Sequence, residues 1–161
     1  HQASRIPKGG KIFREFIEYE LEIAAIINVL RLKRAGIAPK DIAKYIMAPP
    51  RARAIIARMI QAGSASNAAK LLESSPRLRP FVETGVKEFA SNGSLVRLEL
   101  DLYKSLLRRS ALLTHQHPLS GEVILGYMLA KEIEVRNLKL LLKSRQLSMP
   151  ADFAESQLVT V

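Results

Sequence analysis

Long stretches in which apolar residues recur every three to four positions, parted by glycine and proline, leave this chain one fold class. Alternating β-branched runs of the kind a half-buried strand needs do not occur. The spacing predicts a first helix over about residues 12–35. Its acids, Glu15, Glu18, Glu20 and Glu22, come early, and its bases, Arg31, Lys33 and Arg34, come late, as the helix macrodipole favours. Gly36 closes that helix and Pro39 opens a short one to residue 47, halted at Pro49-Pro50. Further helices are expected over 51–62, over 67–74 with Ser66 as its cap, and over 81–91 up to Asn92-Gly93. Ser94 caps a long helix to about residue 114, with Leu95, Leu98, Leu102, Leu106 and Leu113 turned inward. The last two run over 122–145 and, after Pro150, over 151–157. The expectation is an all-α multi-helix bundle, a single helical domain over 1–161.

Charge and composition narrow what such a bundle can do. With 161 residues, 48% of them apolar, the chain can bury a real core, and without cysteine it has no disulfide, thiolate zinc site or cysteine nucleophile. The longest apolar run, residues 23–30, is interrupted by Asn28 and falls short of a membrane span. The N-terminal HQASRIPKGG has no hydrophobic core of a secretory signal, so a cytoplasmic setting is expected. The net charge is +10, and residues 31–58 hold eight basic side chains against a single Asp41. Arg31, Lys33, Arg34, Lys40 and Lys44 should gather near one end of the bundle, because Gly36 and Pro39 turn the chain back there. Such a cluster is either a solvated face or one that an acidic surface or anionic lipid meets, which would relieve its self-repulsion.

Catalytic signatures are missing. Gly9-Gly10 lacks the strand and the lysine spacing of a phosphate loop, and there is no Gly-x-Ser-x-Gly elbow. His115 and His117 could chelate, yet the third histidine is His1 and carboxylates nearby are few, so no metal site is expected. Glu99, Asp101 and Glu134 have basic neighbours and read as ion-pair partners rather than as a tuned acid–base pair. No catalytic residue and no cofactor are expected. A basic helical nucleic-acid-binding protein is the alternative. Against it, the basic segment has one aromatic, Tyr45, and Met-Ala-Pro-Pro is a poor turn for a helix-turn-helix.

The helix over 122–145 carries a puzzle. Glu132, Arg136, Lys139 and Lys143 form one polar stripe, but Lys131, Glu134 and Asn137 fall among Tyr127, Ala130, Leu138 and Leu141. Polar groups on a buried face must be partnered, which predicts a structural network with Glu134 and Asn137 buried. The same helix can be laid on the first one at an offset of 112 residues, Glu22 on Glu134 and Leu30-Arg31 on Leu142-Lys143, with Ala25 in the place of Asn137. As sequence, this is a weak repeat, since leucine-rich helices align by chance.

The closing run adds a resemblance. Gly126-Tyr127, Lys131-Glu132, Glu134, Asn137-Leu138, Lys143 and Pro150-Ala151 resemble, in fixed spacing, the closing signature of the family that includes the C subunit of archaeal A-type ATP synthases and the d subunit of vacuolar ATPases. Leu30-Arg31-Leu32-Lys33 is similar to that family's recurring helix end. The resemblance implies a funnel of pseudo-repeated helical units, of which this chain holds about one and a half, with repeat helices near 12–35 and 122–145. It therefore implies a piece similar to the C-terminal portion. It also implies a non-catalytic central-stalk adaptor, peripheral on the cytoplasmic side of the membrane. Such an adaptor links the rotor shaft subunits to the membrane proteolipid ring, with anionic lipid as a further contact and nucleic acid as an unlikely one. The Lys131, Glu134 and Asn137 cluster would then fix helix register, and Arg31, Lys33, Arg34, Lys40 and Lys44 would face the partners.

Overall fold

A computed structural model describes residues 10–116 and 122–160. Among the described residues there are eight α-helices and no strand. They are α1 (Lys11–Arg34), α2 (Pro39–Tyr45), α3 (Arg53–Gln61), α4 (Ala65–Lys70), α5 (Arg79–Asn92), α6 (Val96–Gln116), α7 (Glu122–Gln146) and α8 (Ala151–Ser156). Short 3-10 turns, Pro50–Ala52 and Leu71–Ser74, lead into α3 and out of α4. The all-α class expected from the periodicity holds. The cap of α4 differs from expectation: Ser64, not Ser66, takes the Asn67 N–H on its Oγ at 3.0 Å. Ser64 is the last extended residue before the helix, so its hydroxyl alone can reach back to the free N–H groups.

The chain forms two compact units, His1–Leu102 and Tyr103–Val161. In the first, α1 packs on α2, α3 and α4. Its core holds Ile23, Ile26 and Leu30 from α1, with Ile42, Ile56, Met59, Leu72, Leu78, Val82 and Leu98, all nearly inaccessible to water. Within this unit α5 crosses α6 very closely. A Cβ on Gly85 would lie 2.6 Å from Leu98 Cα, so only glycine fits the crossing. The Gly85 N–H also donates to Asp101 Oδ2 at 3.1 Å. In the second unit α7 packs on α8 and buries Leu129 and Ile133.

The two long helices end in the same way, and at the same offset. At the end of α1, Ala35, Gly36 and Ile37 donate their N–H groups to the carbonyls of Arg31, Lys33 and Leu32. At the end of α7, Leu147, Ser148 and Met149 donate to those of Lys143, Arg145 and Ser144. Each donor and acceptor is displaced by 112 residues, and the pivots Gly36 and Ser148 both take positive φ, 75° and 52°. This 6→1, 5→2 pattern is the Schellman end. The match continues into the short helices beyond: Ile42 N–H donates to Ala38 O, and Ala154 N–H to Pro150 O. The end of α1 and start of α2 thus share a hydrogen-bond pattern with the end of α7 and start of α8 at that offset.

Candidate functional site

The basic residues at the end of α1 are used mainly within the protein. Arg31 makes a two-pronged contact with Glu99 on α6, its Nε at 2.8 Å and its Nη2 at 2.6 Å from the two carboxylate oxygens. Lys33 donates from Nζ to the carbonyls of Ile60 (2.9 Å) and Ala62 (2.6 Å), satisfying acceptors that the end of α3 leaves open. Arg34 reaches Gly93 O in the turn between α5 and α6 at 3.4 Å. Lys44 pairs with Asp41 one turn back on α2, at 2.8 Å. Lys40 lies exposed on the same short helix.

The sequence reading leaves this charge to be met from outside. In the structure, Glu99, Asp41 and main-chain carbonyls meet four of the five side chains. The reason is topological. The C-terminus of α1 arrives where α3 ends and α5 turns into α6, and both places present carbonyls that cations satisfy.

The cluster on α7 divides. Lys131 and Glu134 form an i,i+3 ion pair at 2.5 Å, but both side chains are about half exposed, not buried as the sequence reading expects. Lys131 is also held above the usual lysine range, chiefly by its hydrogen bond to Glu134 and then by that residue's charge. Asn137 is half-buried and clamps the tail after α8. Its amide nitrogen donates to Val159 O (2.9 Å) and its oxygen accepts the Val159 N–H (3.1 Å). The face on which Glu134 lies is open: Tyr127, Leu138 and Leu141, expected from sequence as its buried neighbours, are exposed too. That face extends through Ile124, Met128, Val135 and Leu142, all exposed, so α7 is apolar on two sides.

Two buried polar ties lie outside the residues that the sequence reading expects to be buried. Glu22, 3% exposed at its side chain, accepts from Arg77 Nη2 at 2.8 Å, and the same guanidinium lies 5.3 Å from the centre of the Tyr19 ring. Asp101 is buried, holds the Gly85 N–H and has Arg97 Nε 3.2 Å from its other oxygen. The sequence signal for Glu22 is its place on the apolar side of α1, between Tyr19, Ile23 and Ile26. His1 and His117, and the side chain of His115, lie outside the described residues. Among the described residues no group of three His, Cys, Asp or Glu side chains could hold a metal ion. The arrangement offers a first unit stiffened by polar ties and, in the second, a bare helix face.

A family model described as ATP synthase (C/AC39) subunit matches residues 1–157. The chain is 28% identical to the A-type ATP synthase C subunit of Methanococcoides burtonii over 93% of its own length and 42% of that protein's. It is 32% identical to the protein of the same name from Pyrococcus abyssi, over 82% of this chain and 35% of that one. A third, from Haloferax volcanii, is 28% identical over 93% and 42%. The chain spans about two fifths of the length of the curated relatives it matches. No solved structure matches it. The chain belongs to the ATP synthase (C/AC39) subunit family.

Proposed function

We propose that this member of the ATP synthase (C/AC39) subunit family is part of a non-catalytic rotor adaptor in a rotary A-type ATP synthase. It would seat the central shaft on the ring of membrane proteolipid subunits and carry torque between ATP chemistry and proton or sodium translocation. The observation that carries the reading is the family match over residues 1–157, with relatives named as the C subunit of that enzyme. The physical character of the chain is compatible with it. An element that transmits torque has to resist shear between its helices. Arg31–Glu99, Lys33 on the end of α3, Arg77–Glu22 and Asp101–Gly85 each tie segments distant in sequence.

The working position would be peripheral, on the cytoplasmic side. Among the described residues no helix is long and apolar enough to cross a membrane. Shaft and ring would be met by the exposed basic surface near Lys40 and Lys44, with Arg31, Lys33 and Arg34 behind it holding the end of α1 in place. Anionic lipid around the ring is a further contact for the same charges.

The test is assembly. Mixed with purified proteolipid ring and shaft subunits of an A-type synthase, the chain should form a complex that weakens with salt. Charge reversal at Lys40 and Lys44 together should slow association at low ionic strength. Failure to bind either component, with sub-micromolar and steeply salt-dependent binding to random-sequence duplex DNA, would replace this reading with the nucleic-acid one.

A further inference from the structure

The stretch from α2 to α4 is charged unlike the rest of the first unit. Residues 35–72 hold six basic side chains, Lys40, Lys44, Arg51, Arg53, Arg58 and Lys70, and one acid, Asp41. All six bases are exposed, and Lys44 takes up Asp41 at 2.8 Å. Among the described residues no carboxylate lies within ion-pair distance of the other five. Other bases of the unit are neutralised from within: Arg31 meets Glu99, Arg77 meets Glu22, Lys87 meets Glu83 and Arg97 meets Asp101. A one-signed surface left uncompensated by the fold keeps its field for something outside.

Between Lys44 and Arg51 stand two bare apolar side chains. Tyr45, the last residue of α2, is 79% exposed and Met47 is 82% exposed, the highest values among the large apolar side chains described. The backbone explains the position of Met47. Ile46 and Pro49 are extended, and alternate side chains of an extended segment face opposite ways. Ile46 and Ala48 are half-buried, so Met47 between them points out. Ile42 and Ala52, both fully buried, fix the segment to the core on either side, and Pro49-Pro50 stiffens its return. The tip is therefore held out by the fold.

We infer that the tip at Tyr45 and Met47, flanked by Lys40, Lys44, Arg51 and Arg53, docks on an anionic phospholipid surface. Tyr45 and Met47 would enter the headgroup layer, and the bases would lie against its phosphates. A tyrosine ring, apolar in body and polar at one end, suits the boundary between lipid and water. Anionic headgroups supply the negative charge that the fold does not. A protein partner suits the tip less well, because interface cores bury packed clusters, whereas these two side chains stand singly among charges of one sign. Nucleic acid would use the bases but find one ring to stack on, and no use for Met47. The inference deepens the lipid contact of the rotor reading and rests on that reading only for bringing the chain to a membrane.

Sedimentation of the full chain with phospholipid vesicles tests it. Vesicles of phosphatidylglycerol and phosphatidylcholine in equal parts should carry the chain down at low salt, and vesicles of phosphatidylcholine alone should not. Raising the salt should release it. Arg51→Ser with Arg53→Ser should weaken binding about thirtyfold, each base at an anionic surface contributing about fivefold. Tyr45→Ser with Met47→Ser keeps every charge and should still weaken binding about tenfold. All four side chains are exposed, so helical circular dichroism should be retained. Because the chain has no cysteine, an environment-sensitive dye on Met47→Cys reports entry into the lipid directly. Its emission should shift to the blue on the anionic vesicles, while the same dye on Thr84→Cys, an exposed position of α5, should not respond. Equal binding to both kinds of vesicle, or to neither, would overturn the inference. So would undiminished binding by the Tyr45→Ser, Met47→Ser protein, or random-sequence duplex DNA or polyglutamate bound more tightly than the anionic vesicles. No shaft or ring subunit is in the mixture, so failure here leaves the rotor reading to its own assembly test.

Discussion

Replacing Gly85 by alanine sets two effects of opposite sign against each other. Alanine is the better helix residue, and in the interior of α5 the exchange should by itself stabilise by about 0.5 to 1 kcal/mol. The new methyl, however, would sit 2.6 Å from Leu98 Cα, 2.7 Å from Asp101 Oδ2 and 2.9 Å from Leu98 N. Two of these are backbone atoms of α6 and cannot swing aside, so α5 and α6 must separate. Overpacking of this kind costs about 1 to 3 kcal/mol, sometimes more. Separation also lengthens the 3.1 Å bond from the Gly85 N–H to the buried Asp101 carboxylate, which weakens a second interaction. The steric and polar costs exceed the propensity gain, and we expect a net loss of about 1 to 3 kcal/mol. Urea denaturation followed by circular dichroism measures it, with Gly63→Ala as the control, because a Cβ there meets nothing within 4 Å. A Gly85→Ala protein as stable as the parent would refute the reasoning, since the crossing would then have slack that the geometry denies.

Arg77→Met strands the buried Glu22 carboxylate and should destabilise the first unit. A buried pair losing one partner costs about 3 to 5 kcal/mol, and with Arg77 34% exposed at its side chain we place the loss at the lower end. Thermal denaturation measures it, and pairing the change with Glu22→Leu should recover most of the loss. Asn137→Leu leaves the Val159 N–H and C=O without partners, at a cost of about 1 to 3 kcal/mol if they stay buried. The tail can peel into water instead, so faster amide exchange at Val159 with little change in global melting is the expected signature. Glu134→Gln should shift stability by less than about 1 kcal/mol by denaturant titration, because its ion pair with Lys131 is exposed. Ser148→Gly should stabilise by about 0.5 to 1 kcal/mol in the same titration, since Ser148 holds φ 52° where its counterpart in α1 is glycine.

Most of the helices are legible in the sequence because punctuation and period agree. Gly36 and Gly93 stand at positive φ where helices end, and Pro39 and Pro150 mark the starts of α2 and α8. Ser64 is not legible as a cap, because Ser66 is an equally good capping residue by type. Which of them caps depends on where the chain leaves α3 in extended geometry, and no local pattern encodes that. Gly85 reads in sequence as an isolated helix glycine, and only the approach of α6 explains it.

The candidate site shows why residue type and position on a helix wheel do not determine environment. Glu22 and Glu134 occupy the same place in the repeat, each on the apolar side of a long helix with a Schellman end. One is buried with an arginine from 55 residues away, and the other is exposed beside a lysine on its own helix. The difference lies in the chain beyond each helix. Short helices α2, α3 and α4 pack on α1, whereas the segment after α8 is held along α7 by Asn137. The alanine at position 25 fits the same account. The residue 112 positions before Val159 is Met47, which is 82% exposed against 2% for Val159. Asn137 thus holds both main-chain groups of Val159, a pair of bonds that alanine at position 25 has no side-chain groups to make.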